Sequence, residues 1–174
     1  MKIQKIITLK PQKQNIGNSG EYYVASLLSA NNFITTITLG MAEKYDILAL
    51  SPTNKAFKFS IKTGYNSNIK SFPLSEKDEK GWDENFYYIF VKLNEFKREP
   101  EFWVIPSKRV NEVLTQSHEI WRKTPNRQGQ EHGISNLRNF FIEISDRMRK
   151  YYPSVTEKEL TFYYKNLQQL FVRY

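Results

Sequence analysis

Tyr45-Asp46-Ile47-Leu48-Ala49-Leu50 and Ala56-Phe57-Lys58-Phe59-Ser60-Ile61-Lys62, joined by Ser51-Pro52-Thr53-Asn54-Lys55, decide the fold of this chain. Two β-prone runs around a short polar linker of turn residues read as a β-hairpin. Pairing Leu50 with Ala56 sets Asp46 opposite Ser60. Side chains alternate faces along a strand, so Asp46, Ser60 and Lys62 share one face and Ile47, Ala49, Phe57, Phe59 and Ile61 fill the other. An acid and a lysine become diagonal neighbours at the open end of the hairpin.

Working back from the hairpin, Asn18 to Ala30 predicts a helix with Val24, Leu27 and Leu28 as its buried stripe. Glu21 flanks that stripe on the sheet side. One account of this glutamate is local, with Asn18 as N-cap and Glu21 closing a capping box. The other is functional, because a carboxylate facing the sheet is costly unless a cation or metal meets it.

Gly17-Asn18-Ser19-Gly20-Glu21, Tyr45-Asp46-Ile47-Leu48-Ala49 and Phe59-Ser60-Ile61-Lys62-Thr63 together resemble the PD-(D/E)XK nuclease superfamily, over roughly residues 17 to 106. The resemblance implies a restriction-endonuclease-like α/β fold, an αβββαβ core with a mixed central sheet. It also implies a site in which Glu21, Asp46 and the backbone carbonyl of Ile61 hold Mg²⁺ or Mn²⁺, the Ser60 position supplies a further ligand, and Lys62 serves the attacking water. Ser60 departs from the pattern, standing where the family carries Glu, Asp or Gln. A hydroxyl binds a hard cation far less well than a carboxylate. Two readings follow: a metal-dependent nuclease acting on DNA phosphodiesters, or a catalytically inactive nuclease-fold module that binds nucleic acid or a protein partner, with Asp46 and Lys62 as an ion pair.

Composition narrows the chemistry. In 174 residues, 40% hydrophobic and 15% aromatic, a proper core can be buried. Without cysteine the chain has neither disulfides nor thiolate zinc sites, and His118 and His132 are its only histidines, so a metal here would be oxygen-bound. There is no phosphate-loop glycine pattern, no Ser/His nucleophile arrangement, and no C₂H₂ spacing. The apolar run Ile6-Ile7-Thr8-Leu9 is too short for a signal peptide or a membrane span, which predicts a cytoplasmic protein without membrane attachment.

The net charge of +8 is unevenly spread. Lys2, Lys5, Lys10 and Lys13 form a basic amino-terminal arm without an acid, whose Ile3, Ile6 and Ile7 suggest a short strand before Pro11. The hairpin region is near neutral, and the chain turns basic again toward Lys123 and Arg127. Basic flanks suit a phosphate backbone, so Lys2, Lys5, Lys10, Lys13, Lys58, Lys123 and Arg127 are candidate nucleic-acid contacts. Glu43, in the loop before Asp46, is a candidate second carboxylate. Asn66, Asn68 and Lys70 are weaker backbone contacts, for which solvent is the alternative.

Elsewhere the pattern predicts a first core strand over 33–39 and, after Thr63, a long polar loop or a short irregular helix, where the resemblance implies the middle helix over 70–84. Buried strands follow at 86–93 and 102–106, then a helix capped by Ser107. Beyond the polar loop 123–133, Ser135 is read as capping a helix through Leu137, Phe140, Phe141, Ile144 and Met148, and Thr156 another through Leu160, Tyr163, Tyr164, Leu167, Leu170 and Phe171. Residues 1–122 form the core with its arm, and 123–174 a loop and helices packed on it. Those aromatic helices make a homodimer a further expectation.

Overall fold

A computed structural model of the protein describes residues 11–38 and 45–171. The hairpin is its organising unit. Strand β2 (Ile47–Leu50) pairs antiparallel with β3 (Ala56–Gly64) in the register Leu50 to Ala56 and Ile47 to Phe59. Its inner face, Ile47, Ala49, Phe57, Phe59 and Ile61, is buried as the alternation requires. Strand β1 (Ile34–Ile37) pairs antiparallel with β2 at the sheet edge. On the other side β5 (Phe86–Lys92) runs parallel to β3, and β6 (Glu101–Pro106) antiparallel to β5. The result is a mixed five-stranded sheet in the order β1-β2-β3-β5-β6. Strand β5 is buried at every residue, as its near-continuous apolar run demands.

Helix α1 (Lys13–Ala30) covers one face through Val24 and Leu28. It starts earlier than its sequence pattern suggests, directly after Pro11 and Gln12. Asn18 therefore lies inside the helix, accepting a hydrogen bond at 3.0 Å from the Gln14 side chain, and the Asn18–Glu21 capping box does not form. Residues 13–16 of the expected arm are likewise helical, while Lys2, Lys5, Lys10 and the strand expected near Ile3, Ile6 and Ile7 lie outside the described residues.

The opposite face is covered by α2 (Ser107–Lys123) and by a ribbon that the sequence pattern did not predict. Residues 70–84 are not a helix. They form β4 (Ser71–Ser75), which pairs antiparallel with β7 (Leu137–Phe141), and a single 3₁₀ turn at Glu76–Glu79. Pro73 lacks the N–H that a helix interior needs, whereas a two-stranded ribbon tolerates it. Phe72 and Leu74, two apart, are both buried. The helix expected from Ser135 is overturned in the same way: Arg138 and Phe140 point inward on a two-residue period, and the Ser135 hydroxyl only accepts from the Leu137 amide at 3.2 Å.

The carboxy-terminal extension thus combines β7 with two short helices, α3 (Asp146–Arg149) and α4 (Glu157–Tyr163). Thr156 caps α4 as expected, accepting from Glu159 N at 3.1 Å, but the helix stops at Tyr163: Tyr164 is extended and bridges to Trp103, and Leu170 lies in a separate 3₁₀ turn at Gln168–Leu170 rather than on the expected helical stripe. Ser107 is the first residue of α2 rather than its cap, and its hydroxyl instead exchanges hydrogen bonds with the Asp83 backbone. Among the described residues no helix is long and apolar enough to cross a membrane.

Candidate active site

Where the β2–β3 ladder ends, a side chain takes over from the backbone. Asp46 N still donates to Phe59 O at 2.8 Å, but the strands then part. The Asp46 carboxylate fills the gap: its Oδ2 accepts the Ile61 amide at 2.6 Å and the Ser60 hydroxyl at 3.3 Å. The N–H and C=O of a strand residue point to the same edge, so the Ile61 carbonyl is turned to the Asp46 side as well. Oδ1 of Asp46 takes no hydrogen bond among the described residues.

Ser60 and Lys62 stand opposite Tyr88 and Phe90 in the parallel register and so face the side of the sheet covered by α2, β4 and β7. Ser60 is buried and Lys62 half-buried. Among the described residues no ion pair joins Lys62 to Asp46 or to Glu21.

Glu21 is delivered by an unusually close helix–strand contact. A Cβ on Gly20 would sit 1.9 Å from Thr63 Oγ1, so only glycine lets α1 approach the end of β3 this closely. The next residue, Glu21, is thereby held near the hairpin's open end. Its carboxyl is raised above the ordinary carboxylate value, first by burial and then by the Asp46 charge, against a lowering by Lys62. Two carboxylates and one amine therefore sense one another here. Thr63 Oγ1 is buried beneath the contact with no hydrogen-bond partner among the described residues.

Two groups at this face escaped the sequence reading. Tyr88 donates its hydroxyl to Asp78 at 2.7 Å, and its phenol is raised by burial, then by Asp78 and, less strongly, by Asp46. Asp78 also accepts from the Ser75 amide and hydroxyl at 2.8 and 2.9 Å. Tyr88 sits in an apolar run and Asp78 in a charged one, so only the β3–β5 register and the 3₁₀ turn bring them together.

The remaining candidates scatter. Lys13 opens α1 on the surface, Lys123 ends α2, and Arg127 is exposed in the following loop. Lys58 shares the face of Ser60, but its amine is 2.9 Å from Asp83, whose carboxyl is held below its ordinary value by that hydrogen bond. Lys70 reaches Glu143 at 3.7 Å. Glu43 lies outside the described residues. Among the described residues, no three His, Cys, Asp or Glu side chains form a metal-binding group. A hard cation here would rest on two carboxylates and neutral oxygens.

The architecture has counterparts among solved structures. A bacterial homing endonuclease, I-Ssp6803I, superimposes with a TM-score of 0.52 at 10% identity, over 92% of this chain and 92% of that one. The Holliday junction resolvase Hjc of Archaeoglobus fulgidus aligns at a TM-score of 0.43 and 11% identity, over 79% of this chain and 87% of that one. No family model and no curated protein matches the sequence. The likeness to the homing endonuclease shows a shared restriction-endonuclease-like α/β fold.

Proposed function

We propose that the chain is a metal-dependent nuclease that hydrolyses DNA phosphodiester bonds at the open end of the β2–β3 hairpin. The observation that carries this reading is a pair of neighbouring carboxylates, Glu21 and Asp46, of which neither has an ion-pair partner among the described residues, with Glu21 raised first by burial and then by the Asp46 charge. Like charges are held together at a cost unless a ligand offsets it.

The donor set fits Mg²⁺ or Mn²⁺, since carboxylate and carbonyl oxygen suit hard cations. Glu21, Asp46 and the Ile61 carbonyl would hold the ion, and Ser60, whose hydroxyl already donates to Asp46, would orient that carboxylate rather than add charge. Bound there, the ion would supply Lewis-acid polarisation of the phosphate and a more acidic water. Lys62, free of a carboxylate partner among the described residues, would offset negative charge developing on the phosphate. Basic surface residues such as Lys13, Lys123 and Arg127 would add affinity for the nucleic-acid backbone.

The test is cleavage of duplex, junction and single-stranded DNA with Mn²⁺ or Mg²⁺. Wild type is expected to cut at least one form, and Asp46→Ala to lose that cutting by about 100-fold or more, the scale of removing a principal electrostatic group. Equal cleavage by both proteins would reject the site.

The second reading, an inactive module, has one observation in its favour: Ser60, which is neutral and 5% exposed. Ser60→Glu separates the two. In a weakened nuclease the variant tightens Mn²⁺ binding, read by calorimetry, and raises cleavage. In an inactive module it places a third carboxylate beside Asp46, lowering the melting temperature with metal affinity unchanged.

A further inference from the structure

Three cations that line one groove of the carboxy-terminal extension have no carboxylate to neutralise them among the described residues. Arg127, Arg147 and Lys150 line a groove of about 780 Å³, within the range of ligand clefts, and no carboxylate lines it. All three are exposed, and among the described residues none forms an ion pair. Three arginines elsewhere are paired: Arg109 with Glu159, Arg138 with Glu79, and Arg98 with Glu101.

The groove also carries an aromatic column. His118 stacks on Trp121 with centroids 5.5 Å apart and planes 23° apart, and Trp121 stacks on His132 at 4.0 Å and 20°. His132 lines the groove, His118 lines a smaller inner cavity of about 230 Å³, and Trp121 lines both, together with Met148 and Tyr151. The column's His132 end is therefore available on the side where the uncompensated cations stand. A ligand matching both features is flat and aromatic at one end and anionic at the other.

We propose that this groove binds an unpaired nucleotide of a single-stranded nucleic-acid segment, its base continuing the column at His132 and its phosphates lying against Arg127, Arg147 and Lys150. Aromatic stacking beside a basic track is the general chemistry of single-strand binding. A paired base hides its faces in the helical stack, so duplex offers the groove only phosphate. The groove is separate from the Asp46 site, and its occupancy does not depend on cleavage.

The test measures anisotropy of fluorescein-labelled oligothymidylate and of a duplex of equal length, in EDTA, with the full chain. Single-strand binding is expected to weaken by about five- to 150-fold in His132→Ala, the scale of losing one stacked base, and to be retained in His132→Phe. Duplex binding should change little in either. Converting Arg127, Arg147 and Lys150 together to Gln should lower the salt slope for the single strand by about 0.7 for each phosphate no longer neutralised. Because His132 and these cations are loop or surface residues, the variants keep the test independent of the packing role of Trp121. Unchanged single-strand affinity in His132→Ala overturns the proposal, as does an equal loss on single strand and duplex, which would mark a plain phosphate surface. Displacement of the oligomer by an equal concentration of thymidine monophosphate would overturn it in favour of a free-nucleotide site. No outcome in EDTA bears on the nuclease reading, which fails or stands on the Asp46→Ala comparison.

Discussion

At the β4–β7 ribbon, Arg138 is 6% exposed and is closed onto Glu79, with further hydrogen bonds to the Ser135 and Leu137 carbonyls at 2.6 and 3.0 Å. At the hairpin's open end, Asp46 and Lys62 act on the Glu21 carboxyl, and none of the three forms an ion pair among the described residues. The ribbon and the neighbouring β5–β6 edge, where Lys92 meets Glu101 at 2.9 Å, use charge as architecture, each ion answered by another. The hairpin end leaves its charge open. Paired buried ions tie two elements together, whereas unpaired charges that neighbour one another make the hairpin end the candidate for a ligand from outside the chain.

Removing one ion of the ribbon pair should have the largest effect. Arg138→Ala would leave Glu79, whose side chain is 13% exposed, without its cation, at a cost of about 3 kcal/mol, the lower end of the range for breaking a buried pair. For a chain of this size that is a fall of roughly 6–12 °C in melting temperature. The double variant Arg138→Met with Glu79→Leu should recover most of it, because replacing both ions with apolar groups removes the orphaned charge. A fall under about 1 °C in Arg138→Ala would mean that the pair is not holding the ribbon.

The site's own scaffold comes next in size. Glycine costs about 1 kcal/mol against alanine inside a helix, so Gly20 runs against local propensity in the middle of α1. The gain is the approach to Thr63. Gly20→Ala should therefore destabilise by about 1–3 kcal/mol, the range for overpacking, instead of stabilising as an exposed helix position would. Adding Thr63→Ala removes the nearest atom and should restore part of the loss, a positive coupling measurable by denaturant titration of the four proteins in the cycle. A stabilised Gly20→Ala would show that α1 does not need this contact to place Glu21.

How much of this was legible beforehand follows from what each segment's periodicity could mean. The hairpin register, the side-chain alternation and the burial of β5 were all readable, because a period of two in β-branched and aromatic residues rarely arises outside a strand. The ribbon was not. Phe140 and Phe141 with Ile144 and Met148 also fit helical spacing, and the partner that makes Phe140 a strand residue, Phe72, lies far away in sequence. Pro73 was the available signal against a helix over 70–84. The convergence of Glu21 on Asp46 was implied by resemblance, but its physical cause, a glycine packed on Thr63, is a tertiary contact that no local pattern carries.

Neutralising Glu21 should have the smallest effect on stability. If Glu21 is an uncompensated carboxylate, Glu21→Gln should make the protein slightly more stable at neutral pH while removing cleavage and metal affinity. The sign follows from the raised carboxyl: protonation favours the folded state, so the favourable contribution is complete below the unfolded value of about 4.3 and is lost as pH rises through the higher folded value. Wild type and variant should accordingly melt together at low pH and separate as pH increases, the variant ahead by no more than about 1 kcal/mol because solvent screens a half-exposed group. Adding Mg²⁺ should reverse the order, since a ligand that binds only the folded wild type stabilises it in proportion to the logarithm of its concentration. If Glu21→Gln were instead less stable than wild type at pH 7 without metal, the carboxylate would have a cationic partner already. The hairpin end would then be a closed ion network like the ribbon, and the nuclease reading would lose the observation that carries it.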